Sequence, residues 1–176
     1  MALFWADKDT DPKRRYRFTL NMGDIPVWTV KTANKPKANV STVEHAYINH
    51  TFKYPGRVTW DNISLTLVDP LDPDMAYTML RKLQKSGYQY PKDANVRGTI
   101  SKKQSTDSGI EFVKINQING EGKVIETWEL KNPWIVSIDF GGALDYTSDD
   151  MNEIAVEIAY DWAEMTKHGK ESTGEQ

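Results

Sequence analysis

The chain has 176 residues, of which 22 are Lys or Arg and 25 are Asp or Glu, so its formal net charge is −3 at pH 7. Apolar residues make up 39% and aromatic residues 11%, which is typical of a folded domain and excludes a mostly disordered chain. It contains no cysteine, which excludes disulfide frameworks, zinc–thiolate sites and thiol nucleophiles.

The first predicted element is a strand from Arg15 to Met22, which begins within the basic run Lys13–Arg17. Such a run has the composition of a nucleic-acid-binding patch. Because it leads into an alternation of apolar and polar residues in a net acidic chain, we interpret it as the exposed start of a strand or an ion-pair patch between subunits. A turn at 21–24 and a second strand, Ile25–Lys31, are predicted to follow.

Two segments fit neither a helix nor a compact pair of strands. Residues 32–59 contain prolines and scattered aromatic residues, and residues 90–109 are polar, basic and rich in turn formers. Loops of this length are usually functional or disordered. Within one domain spanning 1–176 we therefore predict a long loop or arm at about 32–59, a polar loop at about 90–109 and a flexible tail at about 167–176.

Two segments alternate with a period of two, the pattern of half-buried strands. In the segment from Trp60 to Val68, the apolar positions are Ile63, Leu65 and Leu67, and the polar positions are Asn62, Ser64 and Thr66. The segment from Asn152 to Trp162 places Glu153, Ala155, Glu157 and Ala159 opposite an apolar face. Both segments are predicted to be antiparallel strands with one face in water.

One amphipathic helix is predicted from Pro73 to Ser86, with Asp72 as its N-cap. Its expected apolar stripe consists of Met75, Met79, Leu80 and Leu83. The acidic residues before it lack the glycine and the final glutamate of a calcium-binding loop, so capping is the favoured interpretation.

The rest of the chain predicts more strands and an acidic end. Strands are expected at 110–118, 123–131 and 134–139, with a hairpin turn at 119–122. From Asp139 onward the net charge is −8, whereas the residues before it sum to +5. Such an asymmetry allows identical subunits to attract head to tail.

The residues that could carry chemistry form no catalytic pattern. His45, His50 and His168 lack metal-ligand spacing, and neither a phosphate-binding glycine loop nor a serine elbow occurs. Asp149 and Asp150 with Glu153 and Glu157 could act as acid and base, but an acidic sheet face explains them more simply. We therefore expect no enzyme, no metal and no cofactor.

The run from Tyr54 to Asp69, YPGRVTWDNISLTLVD, leads directly into the predicted helix. It resembles the middle of the tail tube proteins of contractile-tailed bacteriophages, which are related to the type VI secretion tube protein. The segments 132–134, 142–146 and 152–162 resemble the same family's C-terminal strands. The resemblance extends over about 18–162 and depends on the order and spacing of these short motifs.

This resemblance implies a mainly β fold, an antiparallel β-barrel or sandwich flanked by one helix, that contributes strands to a hexameric ring. Rings stack into a hollow tube through which DNA is delivered. The alternating pattern agrees, since a sheet with one apolar and one polar face needs a covering layer, expected to be helical, on one side and water on the other. The implied partners are further copies of the chain, the tail sheath, a tape measure protein, baseplate and tail terminator proteins, and DNA without specific binding. The implied location is the virion, after assembly in the host cytoplasm.

Two sets of site residues follow from the resemblance. The residues expected to line the lumen are Asn62, Ser64, Thr66, Glu153, Ala155, Glu157 and Ala159. Residues 32–59 are expected to reach the adjacent ring through an arm that includes Asn39, Val40, Glu44, His45, Tyr47 and His50. A small, polar or acidic wall would repel phosphates and let DNA slide.

Alternative functions remain open. The chain could be the initiator or cap subunit of a tail, or a tube subunit of a type VI-like secretion system. A carbohydrate-binding β-sandwich or glycosidase that uses the six tryptophans and the carboxylates is the alternative from another class.

Overall fold

Two four-stranded antiparallel sheets pack face to face in the computed structural model, which describes residues 11–168. The first sheet has the order β1 (Phe18–Met22), β6 (Val113–Ile118), β7 (Val124–Lys131) and β10 (Trp162–Lys167). The second sheet has the order β2 (Val30–Ala33), β5 (Ile63–Val68), β9 (Glu153–Ala159) and β8 (Trp134–Asp139). A separate hairpin consists of β3 (Ala38–Tyr47) and β4 (His50–Trp60). The predicted mainly β fold class is confirmed.

The core lies between the two sheets and follows the predicted alternation. The first sheet contributes Leu20, Met22, Val113, Ile115 and Leu130. The second sheet contributes Ile63, Leu65, Leu67, Ile154, Val156 and Ile158. Each sheet therefore covers the apolar face of the other, and two residues of the predicted helix, Met75 and Met79, belong to the same core. Burial of this apolar surface is the main source of the fold's stability.

Two strands pass from one sheet to the other at a shared corner. Asn132 and Pro133 separate β7 from β8, and Tyr160 and Asp161 separate β9 from β10, so the predicted strand 152–162 ends at Ala159. The Asp161 carboxylate accepts a hydrogen bond from the Asn132 amide at 2.7 Å. Such corners are the usual way for strands to switch between packed sheets.

The predicted helix is present as α1 (Met75–Lys85), although it begins later than expected. Its N-cap is Asp74, whose carboxylate accepts the Tyr77 backbone N–H at 2.7 Å, so the assignment of Asp72 as the cap is wrong. Either aspartate side chain suits an N-cap, but Asp74 is the residue that directly precedes the first helical turn.

The buried face of α1 also differs from the predicted stripe. Met75 and Met79 are buried as expected, but Lys82 is buried where Leu83 was expected, and Leu80 and Leu83 are only half-buried. The Lys82 ammonium lies 2.5 Å from the Asp24 carboxylate. A buried amine is tolerated here because it keeps a charged partner.

The prediction that residues 32–59 lack paired strands is wrong. β3 and β4 pair from Ala38–Trp60 at the base to Tyr47–His50 at the tip. Pro55 and Gly56 lie where the register shifts between Val40 and Thr42, and such a bulge accommodates proline within a strand. Pro55 and Gly56, which suggested a loop, therefore mark a bulge.

The remaining predictions have mixed outcomes. β8 has its predicted bounds, and the turn at 119–122 connects β6 to β7 as expected. The predicted strand 25–31 is instead a 3₁₀ turn, Val27–Thr29, followed by β2. The polar segment 90–109 contains the short helix α2 (Lys102–Gln104) and a π-turn, Ser105–Gly109. Residues 169–176 of the predicted tail lie outside the described residues.

Candidate interaction surfaces

All seven residues predicted to line a lumen lie on the exposed side of the second sheet. Ser64 pairs with Glu157 and Thr66 pairs with Ala155, on the face opposite the buried Ile63, Leu65 and Leu67. Because successive side chains of a strand point to opposite faces, this register places the polar positions of β5 and β9 side by side. We call this surface the outer face of the second sheet.

The carboxylates of this face are held by neighbouring side chains. Glu157 accepts a hydrogen bond from the Asn62 amide at 2.9 Å and from the Ser137 hydroxyl at 3.3 Å. Glu153 forms an ion pair with Lys31 of β2. Glu157 is therefore oriented by its neighbours, as expected for a structural surface.

The sequence did not reveal the contribution of β2 and β8 to this face. Lys31, Ser137 and Asp139 belong to it, but a register shift between Ile135 and Ser137 interrupts the simple alternation of β8. A bulge of this kind changes which side chains share a face. With three carboxylates (Asp139, Glu153 and Glu157) and one amine, the face is acidic.

The first sheet has a second polar face, which was not predicted from the sequence. Asn116 donates to the Thr19 hydroxyl at 3.3 Å and accepts from Thr127 at 2.8 Å, and Thr127 lies 2.9 Å from Nε2 of His168. The charged residues of this face are Lys114, Glu129, Lys131 and Glu164, which form ion pairs with one another. Its charges are balanced, so the second sheet has the more acidic exterior.

The β3–β4 hairpin, which we call the arm, is exposed throughout residues 40–55. One of its faces carries the cross-strand pairs Val43–Tyr54, His45–Phe52 and Tyr47–His50. On the other face Glu44 lies 3.6 Å from Lys53. An amphipathic ribbon of this kind is typical of a surface that packs against another molecule.

The structure separates the six predicted arm residues into different environments. His45, Tyr47 and His50 share the aromatic face near the tip, whereas Val40 and Glu44 belong to the opposite face. Asn39 is half-buried at the root, where its amide donates to Asp61 at 2.5 Å. Asn39 therefore fixes the arm to the body instead of presenting a contact.

The tip of the arm has an unusual backbone. Ile48 follows Tyr47 in the two-residue turn, has φ of 52° and is 89% exposed. A left-handed conformation is strained for a β-branched residue and usually belongs to Gly or Asn. The tip therefore presents an apolar side chain, although Gly or Asn would adopt this turn conformation with less strain.

Two carboxylates hold the root of the arm, and we call them, with their lysine partners, the root clasp. Glu126, on β7, is buried and binds Lys35 at 2.7 Å together with Lys13 and the Trp128 indole N–H. Burial alone would raise the pKa of Glu126, but these hydrogen bonds outweigh it and lower the pKa to about 2. Asp61 binds Lys37 at 3.0 Å, and hydrogen bonds from Asn39 and Lys37 lower its pKa.

The loop between β8 and β9, residues 140–152, which we call the end loop, presents several exposed apolar side chains. Leu144 is 91% exposed and Tyr146 is fully exposed, and Met151 is also exposed. These three residues help to line a cavity of about 1010 Å³ whose wall includes Lys31 of β2. The end loop carries Asp145, Asp149 and Asp150 and no basic residue.

The carboxylates considered for acid–base chemistry do not form one site. Asp149 and Asp150 belong to the end loop, whereas Glu157 lies within β9 and does not line the cavity. Within residues 11–168, no group of three or more His, Asp or Glu side chains is placed to hold a metal ion. None of the helices described for these residues has the length and apolar character needed to cross a bilayer.

Comparison with known proteins gives a result at the level of structure. The sequence matches no protein-family model and no curated protein sequence. Among solved structures, a chain of the anti-feeding prophage tube-terminating cap superimposes with a TM-score of 0.66 at 21% identity, covering 96% of this chain and 100% of that chain. A chain of the PVC sheath–tube complex, an extracellular contractile injection system in its extended state, gives a TM-score of 0.63 at 20% identity and covers 89% and 93%.

A chain of the PVC sheath/tube terminator gives a TM-score of 0.64 at 20% identity and covers 90% of this chain and 99% of that chain. The chain has the fold of tube and cap proteins of contractile injection systems. The resemblance to tail tube proteins is thus confirmed at the level of fold.

Proposed function

We propose that this chain is the subunit of the inner tube of a phage-like contractile tail, in which six copies form a ring and rings stack head to tail. The observation that carries the proposal is the arm. Its residues 40–55 are exposed, and no other part of the described chain covers its aromatic face. Such a surface needs a partner, and stacked rings supply one in every subunit.

The edges of the second sheet support ring formation. Among residues 11–168, β2 and β8 each pair on one side only, and Trp134 and Val136 of β8 are about 40% exposed. An exposed apolar edge strand is prone to pair with another chain. If β8 of one copy pairs with β2 of the next, six copies close a barrel of 24 strands.

The size of such a barrel suits a passage for DNA. With strands about 4.8 Å apart and tilted by about 40°, 24 strands give a circumference of about 150 Å and a diameter of about 48 Å. A duplex would pass even after side chains fill part of this width. We therefore propose that the tube delivers DNA during contraction of the tail.

We assign the lumen to the outer face of the second sheet. Its residues Ser64, Thr66, Ala155 and Ala159 are small, and its acidic charge would repel phosphates. Tight DNA binding requires Lys and Arg contacts, of which this face offers only Lys31. The outer face of the first sheet, with balanced charge, would then face away from the lumen.

The proposed assembly implies further partners. The tail sheath would surround the tube, a tape measure protein would occupy it during assembly, and baseplate and tail terminator proteins would bind its two ends. The complete particle would be a virion, assembled in the cytoplasm of the host.

A second candidate is a tube-terminating cap subunit. It is favoured by the likeness to the anti-feeding prophage cap chain, which is covered over its whole length. A cap and a tube subunit differ in one measurable property, because a cap forms a ring that does not elongate.

Electron microscopy of purified protein over a range of concentrations tests the proposal. In an arm-shortened variant, Asn-Gly would replace residues 40–58, because Asn39 and Thr59 are paired and a two-residue turn can join them. The wild-type chain should form rings that stack into tubes, and the variant should form single rings. Rings of the wild type that never stack would favour the cap, and discrete monomers at every concentration would contradict both roles.

A further inference from the structure

We infer that residues 11–17, which we call the strap, lock the orientation of the arm within each subunit. The strap and the segment that leads into the arm bind different oxygens of one buried carboxylate, that of Glu126. The inference concerns the single subunit, so it holds whether or not the subunit forms tubes.

The strap covers two polar side chains at one end of the core. Gln117 of β6 and Glu126 of β7 are directly opposed in the first sheet, and each is only 5% exposed. They share the core-facing side of these strands with Val113, Ile115 and Leu130, because alternate residues of a strand point the same way. Buried polar groups need hydrogen-bond partners, so the segments that cover this end must supply them.

The strap supplies the partners of Gln117. The Gln117 amide nitrogen donates to the Arg14 carbonyl at 2.7 Å and to the Arg17 carbonyl at 2.8 Å. Between these two carbonyls the strap forms a turn, in which the Arg17 N–H donates to the Arg14 carbonyl at 3.2 Å. The backbone N–H of Ile118 also donates to the Arg17 carbonyl, at 3.0 Å. A buried amide therefore holds the strap by its backbone.

Glu126 connects the strap to the arm. One of its oxygens accepts a hydrogen bond from Lys13 of the strap, and the other accepts one at 2.7 Å from Lys35, which lies just before β3. Both lysines are about half exposed, whereas the carboxylate is buried. Without the strap, water would reach the carboxylate and weaken its attraction to Lys35. The strap thus strengthens the contact that holds the arm.

The other ion pair of the root clasp is more open to water. Lys37 lies 3.0 Å from Asp61, but the two side chains are 71% and 46% exposed. Exposed ion pairs contribute little to holding two segments together. The orientation of the arm should therefore depend mainly on the contact between Lys35 and Glu126, and through it on the strap.

Distances between spin labels on the arm and on the body test the inference. Because the chain has no cysteine, the double variant K53C/R81C places one label on the exposed side of the arm and one on the exposed side of α1. Labelled protein would be mixed with an excess of the same chain without label, so that only distances within a subunit are recorded. The width of the distance distribution then reports how far the arm moves relative to the body.

Four further substitutions in this labelled chain separate the possible causes of arm movement. K13M removes the strap's contact with Glu126, Q117L removes the donor that holds the strap, and K35M removes the arm's own contact. R15M is the matched control, at an exposed residue of the same strap. K13M and Q117L should broaden the distribution toward that of K35M, while R15M should keep the wild-type width. K13M decides the test even if Q117L fails to fold, because Lys13 is exposed and its replacement leaves the core intact.

Three results would overturn the inference. A wild-type width in K13M would show that the strap does not act on the arm. A wild-type width in K35M would show that Glu126 does not hold the arm. A broader distribution in K13M/K35M than in K35M alone would show that the strap acts by a route other than the shared carboxylate.

The coupling should also act in the reverse direction, because coupling between two contacts is reciprocal. Trypsin can cleave after Arg15 when the strap detaches, and the rate of cleavage follows the population of the detached state. In K35M this cleavage should be about fivefold faster or more than in the wild type, as followed by mass spectrometry of the fragment that begins at Tyr16. The matched control is K37M, which removes a lysine that binds Asp61 instead of Glu126. A rate in K35M no higher than in K37M would contradict the coupling.

Discussion

The Lys35 ammonium lies 2.7 Å from one oxygen of the buried Glu126 carboxylate, so the segment that leads into the arm is tied to the first sheet. Lys13 binds the other oxygen and therefore ties the N-terminal segment to the same point. One side chain of β7 thus fixes two segments that are distant in sequence.

Replacing Glu126 by Gln should reduce the free energy of unfolding by about 2 kcal/mol, because the amide carries no negative charge and its NH2 group cannot accept a hydrogen bond from the second lysine. Urea unfolding followed by tryptophan fluorescence would measure the change. The control is E121Q, at an exposed turn residue whose partner Lys123 is also exposed. Equal stability of the two variants would contradict the role assigned to Glu126.

The Glu126 carboxylate should also make the free energy of unfolding depend on pH. Its pKa is about 2 in the folded chain against an ordinary value of 4.5, so the folded state binds fewer protons between these values. The stabilisation is therefore complete above about pH 4.5 and is lost as pH falls toward 2. Unfolding free energies from pH 6 to pH 3 should fall more steeply for the wild type than for E126Q; parallel curves would argue against this assignment.

Lys82 and Asp24 should respond unequally to substitution. Lys82 is buried whereas Asp24 is largely exposed, and the hydrogen bond from Lys82 lowers the pKa of Asp24. D24N leaves a buried ammonium without its counter-charge and should be destabilising by about 2 kcal/mol or more, whereas K82M keeps the volume and should cost less than about 1 kcal/mol. Thermal unfolding of the two variants would measure the difference. A larger loss in K82M would show that the ion pair itself is stabilising.

Substitution of Asp74 and of Asp72 tests which of these two acids caps α1. D74A removes the acceptor for the Tyr77 N–H and should reduce stability by about 1 kcal/mol, while D72A should have an effect below about 0.5 kcal/mol. Circular dichroism during thermal unfolding would compare them. The reverse order would restore Asp72 as the cap.

The proposed lumen can be located by chemical labelling. In S64C the single thiol should react with a bulky maleimide reagent in dissociated subunits and become protected in long tubes. In K123C, on an exposed turn, we expect the thiol to remain reactive in both states. Equal reactivity of S64C before and after assembly would place the outer face of the second sheet outside the lumen.

Much of the body of the fold was predictable from the alternation of β5 and β9. The register of an antiparallel pair then brings Ser64 beside Glu157, so the outer face of the second sheet followed from the sequence. The contribution of β8 did not, since the shift between Ile135 and Ser137 depends on pairing with β9. Local pattern identifies strands, but a bulge is decided by the neighbouring strand.

The arm and α1 each have a feature that could not be predicted from the sequence. Pro55 and Gly56 commonly end strands, and only the pairing of β3 with β4 shows that they form a bulge. Burial of Lys82 was not predictable from helical periodicity, because its counter-charge, Asp24, is distant in sequence. The exposure of Leu144 and Tyr146 in the end loop was likewise not predicted from the sequence.

The root clasp also determines how far the arm can rotate about its base. The arm extends about 30 Å from its base, so a rotation of roughly 5° at the root would displace the tip by about 2.6 Å. If rings stack as proposed, the angular step and the bending stiffness of the stack would therefore depend on Glu126 and Asp61. Changes at these two carboxylates would alter the pitch of the assembly without altering the surfaces that meet.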